Sequence, residues 1–280
     1  MSSQGGDFRN GEVDGLVVEN LTVRFGGLTA VDGQTLTAPR GRITGLIGPN
    51  GAGKTTTFNA VTGVVKPSAG RVSLFGQDIT SWSPDARALK GLGRTFQRME
   101  LFDTLTVREN VRLGKEAGLA GRNPWRALRS PRSQVGTVRR LADEAMEMVG
   151  ITGEANRRPA DLSTGQRRLV ELARCIAGEF QIMLLDEPSS GLDGNETEAF
   201  GAVLRRLVAE RGVGILIVEH DMELVMTTCN YIHVLDFGKP IFEGTPREVA
   251  TSPLVRAAYL GTEAEGLSEF AETSSGGGTG

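Results

Sequence analysis

The sequence predicts an α/β protein with a mainly parallel sheet, because short apolar, strand-like segments alternate with helix-like segments. An apolar segment at 43–47 is followed by a glycine-rich turn and a helical segment at 54–62. The same order recurs later, where apolar segments at 182–186 and 215–219 are separated by a helical segment at 196–210. Strands that are apolar on both faces are typical of the interior of a parallel sheet.

The remaining elements are predicted from the same kinds of pattern. Residues 16–18 and 21–25 are apolar or alternating and indicate strands, and 71–75 is another strand that ends at a turn. The stretch 98–164 has few β-branched runs and reads as helical, for example at 138–149. It also contains a segment rich in glycine, proline and arginine.

Composition excludes several classes of protein. The 280 residues are 39% apolar and 23% charged, with a net charge of -3, which excludes a generally basic nucleic-acid binder. No apolar run approaches the roughly 18 residues that a membrane-spanning helix needs, and the first residues lack the apolar core of a signal peptide. Two cysteines do not make a disulfide framework, so we expect a reducing, cytoplasmic environment.

Residues 48–55 read GPNGAGKT and match the phosphate-binding pattern G-x-x-x-x-G-K-[ST] between a predicted strand and a predicted helix. Glycines let backbone N–H groups converge on a phosphate, and the helix N-terminus adds partial positive charge. Lys54 is expected to reach the β- and γ-phosphates. The Thr55 hydroxyl can ligate Mg²⁺, and Thr56 can bind the α-phosphate.

The apolar strand 182–186 ends in an acidic pair that suits the other side of a phosphate site. Asp186 is expected to hold Mg²⁺ through water. Glu187 follows it and is the candidate to orient or deprotonate the attacking water. Together with the phosphate-binding loop, this pair predicts a Mg²⁺-dependent nucleoside triphosphatase.

Residues 162–168 read LSTGQRR and open the helix predicted at 165–177. This segment resembles the signature motif of the ATP-binding cassette (ABC) ATPases. Thr164 stands where the family usually has glycine, but Ser163 and Gly165 match the positions that face the nucleotide. A hydroxyl and backbone N–H groups at a helix N-terminus can bind a γ-phosphate by the same physics as the phosphate-binding loop.

Other segments resemble the remaining family motifs in their usual order, over roughly residues 15–245. Gln97 resembles the Q-loop glutamine, which senses Mg²⁺ and the γ-phosphate, and 190–193 resembles the D-loop. His220 resembles the switch histidine, and Phe25 the aromatic residue that stacks on adenine.

The motifs and the resemblance together imply ATP and Mg²⁺ as cofactors and three sets of site residues. The catalytic candidates are Lys54, Gln97, Glu187 and His220. The nucleotide-binding candidates are Phe25, Gly48, Pro49, Asn50, Gly51, Ala52, Gly53, Lys54, Thr55, Thr56, Ser163, Gly165, Gln166 and Asp193. The metal-binding candidates are Thr55, Gln97 and Asp186.

The resemblance implies a RecA-like P-loop NTPase core with an antiparallel β-subdomain and an inserted α-helical subdomain. We expect the nucleotide-binding domain at 15–245, with the helical subdomain at about 98–164. A helical extension is expected at 246–264. The polar, glycine-rich ends at 1–14 and 265–280 are expected to be disordered tails.

The resemblance also implies that the nucleotide pocket is shared between two chains, with Ser163 and Gly165 of one cassette facing the phosphate-binding loop of another. The partner is expected to be a second ABC ATPase subunit, either an identical or a sister chain. Separate transmembrane permease subunits would place the protein peripherally on the cytoplasmic face of the inner membrane. No nucleic acid is expected as a partner.

Four segments resemble the ATP-binding subunits of branched-chain amino-acid importers, which implies import of branched-chain or other hydrophobic amino acids. They are residues 25–31, 101–110, 218–222 and 258–261. Two alternatives remain open. Lipopolysaccharide-export ATPases share much of the C-terminal half, although residues 115–140 are not expected there, and a soluble non-transport ABC ATPase is the other alternative.

Two stretches of the sequence carry a marked excess of one charge. Residues 117–142 carry six arginines and Trp125 without an acidic residue. This stretch is either a solvated loop or a contact with permease loops or anionic headgroups. The acidic stretch 263–272 suits a solvating tail.

Overall fold

The computed structural model describes three stretches of the chain, residues 13–95, 101–122 and 132–259. Several sequence expectations concern residues outside these stretches and stay predictions. They are the tail at 265–280, most of the tail at 1–14, Gln97, and Trp125 with its neighbours in the basic stretch.

The described residues form ten strands and nine α-helices. The strands are β1 (Gly15–Phe25), β2 (Leu28–Pro39), β3 (Ile43–Ile47), β4 (Ala69–Leu74), β5 (Gln77–Asp78), β6 (Leu92–Arg94), β7 (Ile182–Asp186), β8 (Gly214–Val218), β9 (Tyr231–Asp236) and β10 (Lys239–Gly244). The helices are α1 (Lys54–Thr62), α2 (Pro84–Lys90), α3 (Val107–Arg122), α4 (Arg132–Met148), α5 (Thr164–Ala177), α6 (Gly194–Arg211), α7 (Met222–Thr228), α8 (Pro246–Thr251) and α9 (Pro253–Ala258).

Two sheets organise these elements. The first has the order β2-β1-β4-β5 and is antiparallel throughout. The second has the order β10-β9-β3-β8-β7-β6, in which five strands run parallel and β10 pairs antiparallel at one edge. The mixed architecture confirms the predicted α/β fold. It also matches the expected combination of a parallel core and an antiparallel sheet.

The centre of the parallel sheet is fully buried. Every residue of β3, β7 and β8 is buried, which explains why these strands are apolar without alternation. The carboxyl ends of parallel strands lie at one edge of the sheet. The residues that follow β3, β7 and β8 are therefore brought together, although more than 100 residues of chain separate β3 from β7.

Helix α1 lies between the two sheets. Phe58, Ala60 and Val61 on this helix are buried in one apolar cluster with residues of both sheets, such as Leu16 of β1 and Leu216 of β8. A second cluster contains residues from α3 to α6 on the other face of the parallel sheet. Because α1 is held on both sides, its two ends are fixed in position.

Arg87 of α2 anchors the C-terminal end of α1. Its guanidinium is almost completely buried and donates to the carbonyl oxygens of Ala60 at 2.8 Å, of Val61 at 2.5 Å and of Thr80 at 2.8 Å. These carbonyls include groups that a helix end leaves without partners inside the helix. Burial lowers the pKa of Arg87 below its usual range, and the backbone hydrogen bonds compensate the charge.

Within the described residues, no helix is both long enough and apolar enough to cross a membrane. Helix α4 packs mainly against α3 and α5, and α6 buries one face that includes Phe200, Leu204 and Leu207.

The predicted elements agree closely with the structure where they are buried. The segments at 43–47, 54–62 and 182–186 have the predicted bounds. The strands predicted at 16–18 and 21–25 are one strand, β1, with irregular register near Asn20, whose φ is 48°. The local break in alternation therefore marks a bulge and not the end of a strand.

We predict that Arg87→Met destabilises the protein by about 3 kcal/mol, because several carbonyl groups lose the guanidinium as a donor. The free energy of unfolding in urea measures the effect. Arg71→Met is the control, since Arg71 forms an exposed ion pair with Asp78. Equal stability of the two variants would show that Arg87 does not anchor α1.

Candidate nucleotide-binding site

The loop 48–53 connects the end of β3 to the start of α1 and forms the floor of a cavity of about 390 Å³. Residues from four segments line this cavity. The lining residues are Leu28, Thr29, Ala30, Asn50, Gly51, Ala52, Gly53, Lys54, Thr55, Thr56, Glu187, Phe237 and Gly238.

The N-terminus of α1 is open toward this cavity. Its N-cap position is Gly53, which provides no side-chain cap, and the first turn has no acidic residue. By contrast, α5 to α8 are capped by the side chains of Ser163, Asp193, Asp221 and Thr245. The backbone N–H groups of the first turn and the positive end of the helix dipole favour an anion such as a phosphate at this position.

The backbone of the loop is fixed by two neighbouring elements. Gly53 has a φ of 100°, and a Cβ at this position would lie 2.6 Å from the carbonyl oxygen of Ala30. Gly238, in the turn between β9 and β10, donates its N–H to the carbonyl of Ala52 at 3.0 Å. Only glycine meets both the conformational and the steric requirement at position 53.

Lys54 is buried beneath the loop. Its Nζ donates to the carbonyl oxygens of Gly48 and Pro49, the latter at 3.0 Å. The ammonium group therefore lies at the loop and close to the helix N-terminus. Thr55 is exposed at the cavity surface, where its hydroxyl is accessible to a ligand.

Asp186 at the end of β7 is buried and has one engaged and one unengaged oxygen. Oδ2 accepts from Arg94 at 2.9 Å, while Oδ1 is buried and has no hydrogen-bond partner among the described residues. Burial raises the pKa of Asp186, and the Arg94 guanidinium opposes that rise. A buried oxygen with spare acceptor capacity suits a water molecule in the shell of a hydrated Mg²⁺.

The donor set around Asp186 is compatible with Mg²⁺ in other respects. The described residues contain no cluster of three His, Cys, Asp or Glu side chains that could hold a metal by themselves. Mg²⁺ usually keeps several waters and binds through one or two protein ligands plus substrate phosphates. A threonine hydroxyl and a single carboxylate beside a phosphate cradle match that pattern.

Arg94 is a site residue that the sequence motifs did not reveal. Besides Asp186, its guanidinium donates to Asn59 Oδ1 of α1 at 2.7 Å, so it links β6 and β7 to the phosphate-binding helix. The position of Arg94, three residues before Gln97, was the one sequence feature that could have pointed to it. Its hydrogen bonds join it to residues that lie 35 and 92 positions away in the chain.

Glu187 faces the cavity from the first position after β7. Its φ is 47°, a left-handed conformation that costs a non-glycine residue free energy. Its N–H donates to the carbonyl of Val218 at 2.8 Å, which holds this conformation against the end of β8. The strained backbone directs the carboxylate side chain toward the phosphate-binding loop instead of along the strand.

The signature turn lies elsewhere on the surface. Ser163 is exposed and forms a reciprocal capping box with Gln166 at the start of α5. Gly165 is buried so closely against α6 that a Cβ there would lie 2.5 Å from Glu196 Oε1. Among the described residues that line the cavity, none belongs to 163–166.

Other predicted residues also lie outside the described lining of the cavity: Phe25, Gly48, Pro49, Asp186, Asp193 and His220. Phe25 is half-exposed at the end of β1. Asp193 caps α6 by accepting from the Glu196 N–H at 2.8 Å, and His220 is exposed just after β8. The aromatic residue that does line the cavity is Phe237, which no motif indicated.

A phosphate cradle on an uncapped helix, an acidic strand end beside it and a separate signature turn together define an ABC-type P-loop ATPase. Comparison with family models agrees, since the ABC transporter family model matches residues 31–190. The model described as branched-chain amino acid ATP-binding cassette transporter matches residues 239–265. The chain belongs to the ABC transporter family, within its branched-chain amino-acid cassette group.

Individual relatives agree with this assignment. The chain is 39% identical to the high-affinity branched-chain amino acid transport ATP-binding protein BraF of Pseudomonas aeruginosa, over 88% of this chain and 97% of the relative. It is 38% identical to LivG of Escherichia coli, over the same shares of both chains.

Solved structures show the same fold. The ADP conformation of the ABC transporter cassette MJ1267 superimposes with a TM-score of 0.78 at 30% identity and covers 88% of this chain and 98% of its own. The dimeric bacterial ABC transporter cassette MJ0796 has a TM-score of 0.70 at 27% identity, over 83% and 99%. The protein is therefore an ABC ATPase with a nucleotide-binding fold.

We predict that Gly53→Ala weakens nucleotide binding by at least about tenfold, because a side chain at this position requires the loop to move away from Ala30. Equilibrium binding of a fluorescent ADP analogue measures the effect. Gly27→Ala is the matched control, since a Cβ there meets nothing within 4 Å. Unchanged affinity in Gly53→Ala would contradict the assignment of the loop.

Proposed function

We propose that this protein binds and hydrolyses ATP to power a membrane transporter that imports branched-chain or other hydrophobic amino acids. The observation that carries the ATPase part is the position of Lys54 and Glu187 on one cavity, at the uncapped N-terminus of α1. Transfer of a phosphoryl group to water needs a cation and a helix N-terminus that hold the phosphates, and a carboxylate that orients the water.

In the proposed reaction, water attacks the γ-phosphorus of ATP and ADP leaves. The N–H groups of the loop 48–53 and Lys54 hold the phosphates and stabilise the charge that develops on the leaving oxygen. Glu187 orients the attacking water and accepts its proton. His220, exposed after β8, is assigned the contact with the γ-phosphate once the site is closed.

We propose that Thr55, Gln97 and Asp186 hold Mg²⁺ at this site. The exposed Thr55 hydroxyl and the unengaged Oδ1 of Asp186 support the assignment, and Gln97 lies outside the described residues. When bound, the ion neutralises phosphate charge and orients the leaving group. Arg94 keeps the Asp186 carboxylate in place through Oδ2, so that Oδ1 remains available.

We further propose that a second ABC cassette completes the site. Ser163 is exposed, and it lies outside the described residues that line the cavity of its own chain. The dimeric assembly of the similar cassette MJ0796 supports this arrangement. ATP would then bind both surfaces in the closed dimer, and hydrolysis would remove contacts that only that state makes.

Import of amino acids is supported by the names of the relatives, which are described as branched-chain amino acid transport proteins. The match of residues 239–265 to a branched-chain amino-acid family model supports it independently of the nucleotide-binding motifs. We propose transmembrane permease subunits as partners and the cytoplasmic face of the membrane as the location. Neither alternative, lipopolysaccharide export or a soluble role, is favoured by a specific observation.

We expect Glu187→Gln to bind ATP with near-normal affinity but to lose at least about 100-fold in kcat, because it removes the base and retains the side-chain volume. Steady-state ATPase assays with Mg²⁺ and with a chelator measure turnover and its metal dependence. Glu223→Gln, an exposed carboxylate on α7, is the control. Rapid turnover by Glu187→Gln, or full activity in the chelator, would contradict the proposal.

A further inference from the structure

Glu219 is a fully buried carboxylate that the proposed reaction does not use. It follows β8 directly and precedes His220. Within the described residues, its one ion-pair contact within 4.0 Å is His220 Nδ1, at 3.9 Å from Oε2. Burying a carboxylate without a lysine or arginine partner costs free energy of desolvation, so its hydrogen bonds must offset that cost.

Each oxygen of Glu219 accepts backbone N–H groups from a different loop. Oε1 accepts from Ser189 at 2.7 Å, in the loop between β7 and α6 that also carries Glu187. Oε2 accepts from His220 at 3.2 Å and from Asp221 at 3.4 Å, in the loop between β8 and α7. One side chain therefore joins the loop of the proposed base to the loop of the proposed switch histidine.

These contacts require a carboxylate and not an isosteric amide. Both oxygens accept from backbone N–H donors, Oε1 from Ser189 and Oε2 from His220 and Asp221. The Ser189 side chain also hydrogen-bonds to the carboxylate. A glutamine has one acceptor oxygen and one NH₂ group, so either of its two orientations places a donor against a donor. Burial raises the pKa of Glu219, and the backbone N–H groups oppose that rise.

The same junction holds the strained backbone of Glu187. The Glu187 N–H donates to Val218, the residue before Glu219, and the Ser190 N–H donates to the Glu187 carbonyl at 3.2 Å. The loop after β7 is thus bound to the end of β8 at two points, Glu187 and Ser189. Without the Glu219 contact, the loop would lose one of the bonds that tie it to the end of β8 beside a left-handed glutamate.

We propose that Glu219 is a positioning residue for ATP hydrolysis, which fixes the loops of Glu187 and His220 relative to each other through its two oxygens. The inference rests on the proposed function of Glu187 as the base. It concerns how the catalytic carboxylate is held, and it predicts an effect on turnover with little effect on nucleotide binding. The loop 48–53, which binds the phosphates, makes none of the Glu219 contacts described here.

The test compares the full-length chain with Glu219→Gln and Glu219→Asp, by kcat, KM and equilibrium ATP affinity. We expect Glu219→Gln to lower kcat about 100-fold, since a displacement of about 1 Å at a catalytic group has that effect, with ATP affinity within about threefold of normal. Glu219→Asp keeps two acceptor oxygens on a shorter side chain. We expect its kcat to lie between that of the wild type and that of Glu219→Gln.

The order of the two variants separates positioning from simple packing. If Glu219 only fills space, the isosteric glutamine retains more activity than aspartate, and that order would overturn the proposal. A wild-type kcat in Glu219→Gln would also overturn it. Glu248→Gln is the matched control, because Glu248 accepts the Thr245 N–H at 2.7 Å on α8 and is expected to keep full activity.

Hydrogen exchange gives a second readout that does not depend on turnover. We expect Glu219→Asp and Glu219→Gln to exchange the amides of residues 187–191 faster than the wild type, with unchanged exchange in β3 and α1. If Glu219→Gln does not fold, Glu219→Asp carries the test. A kcat at least about tenfold below normal then supports the proposal, and a normal kcat overturns it.

Failure of this inference can be distinguished from failure of the proposed function. If Glu187→Gln abolishes turnover but Glu219→Gln does not, Glu187 keeps its role and only the positioning role of Glu219 is wrong. If Glu187→Gln retains turnover, the proposed base itself is wrong. In a Glu187→Gln background, adding Glu219→Gln is expected to cause little further loss, because residues that act as one unit are not additive.

Discussion

The structure depends on one helix end that is left without a side-chain cap. Helix α1 begins at the carboxyl edge of the parallel sheet with no side-chain cap and no acidic residue in its first turn. An anion is the natural partner for that end. The opposite end is closed by the buried guanidinium of Arg87, and both sheets pack on the sides of the helix. The helix is therefore held in position, and the positive end of its dipole, at the N-terminus, is available to a ligand.

Around this fixed point, the chemically active groups lie on loops that side chains hold in place. Arg94 binds one oxygen of Asp186 and leaves the other available. Glu219 joins the loop of Glu187 to that of His220. Asp186 and Glu219 are buried carboxylates that are costly to desolvate, and Arg94 is only slightly exposed. Their contacts concentrate at the carboxyl edge of the sheet, which fits the proposal that free energy of folding is used to fix the positions of the proposed reacting groups.

The sequence predicted the parts of the fold that depend on local patterns. Strand 43–47 and helix 54–62 are recognisable because burial on both faces and a glycine-rich turn leave a strong local signal. The candidate site residues named from contiguous motifs stay predictions. The sequence did not indicate Arg94 and Glu219 as candidates, because their contacts exist only when β6, β7 and β8 lie side by side. Such pairings across the sheet leave no periodic trace in the sequence.

The central claim is that each nucleotide site is completed by another cassette. A mixing experiment tests it directly with two inactive variants of the full chain, Lys54→Ala and Ser163→Arg. A mixed dimer would carry one site with an intact phosphate-binding loop from one chain and an intact signature turn from the other. ATPase activity that appears when the two variants are combined, and rises with protein concentration, is the predicted result. An undiminished rate in Ser163→Arg alone, or a mixture no more active than its separate components, would contradict the claim.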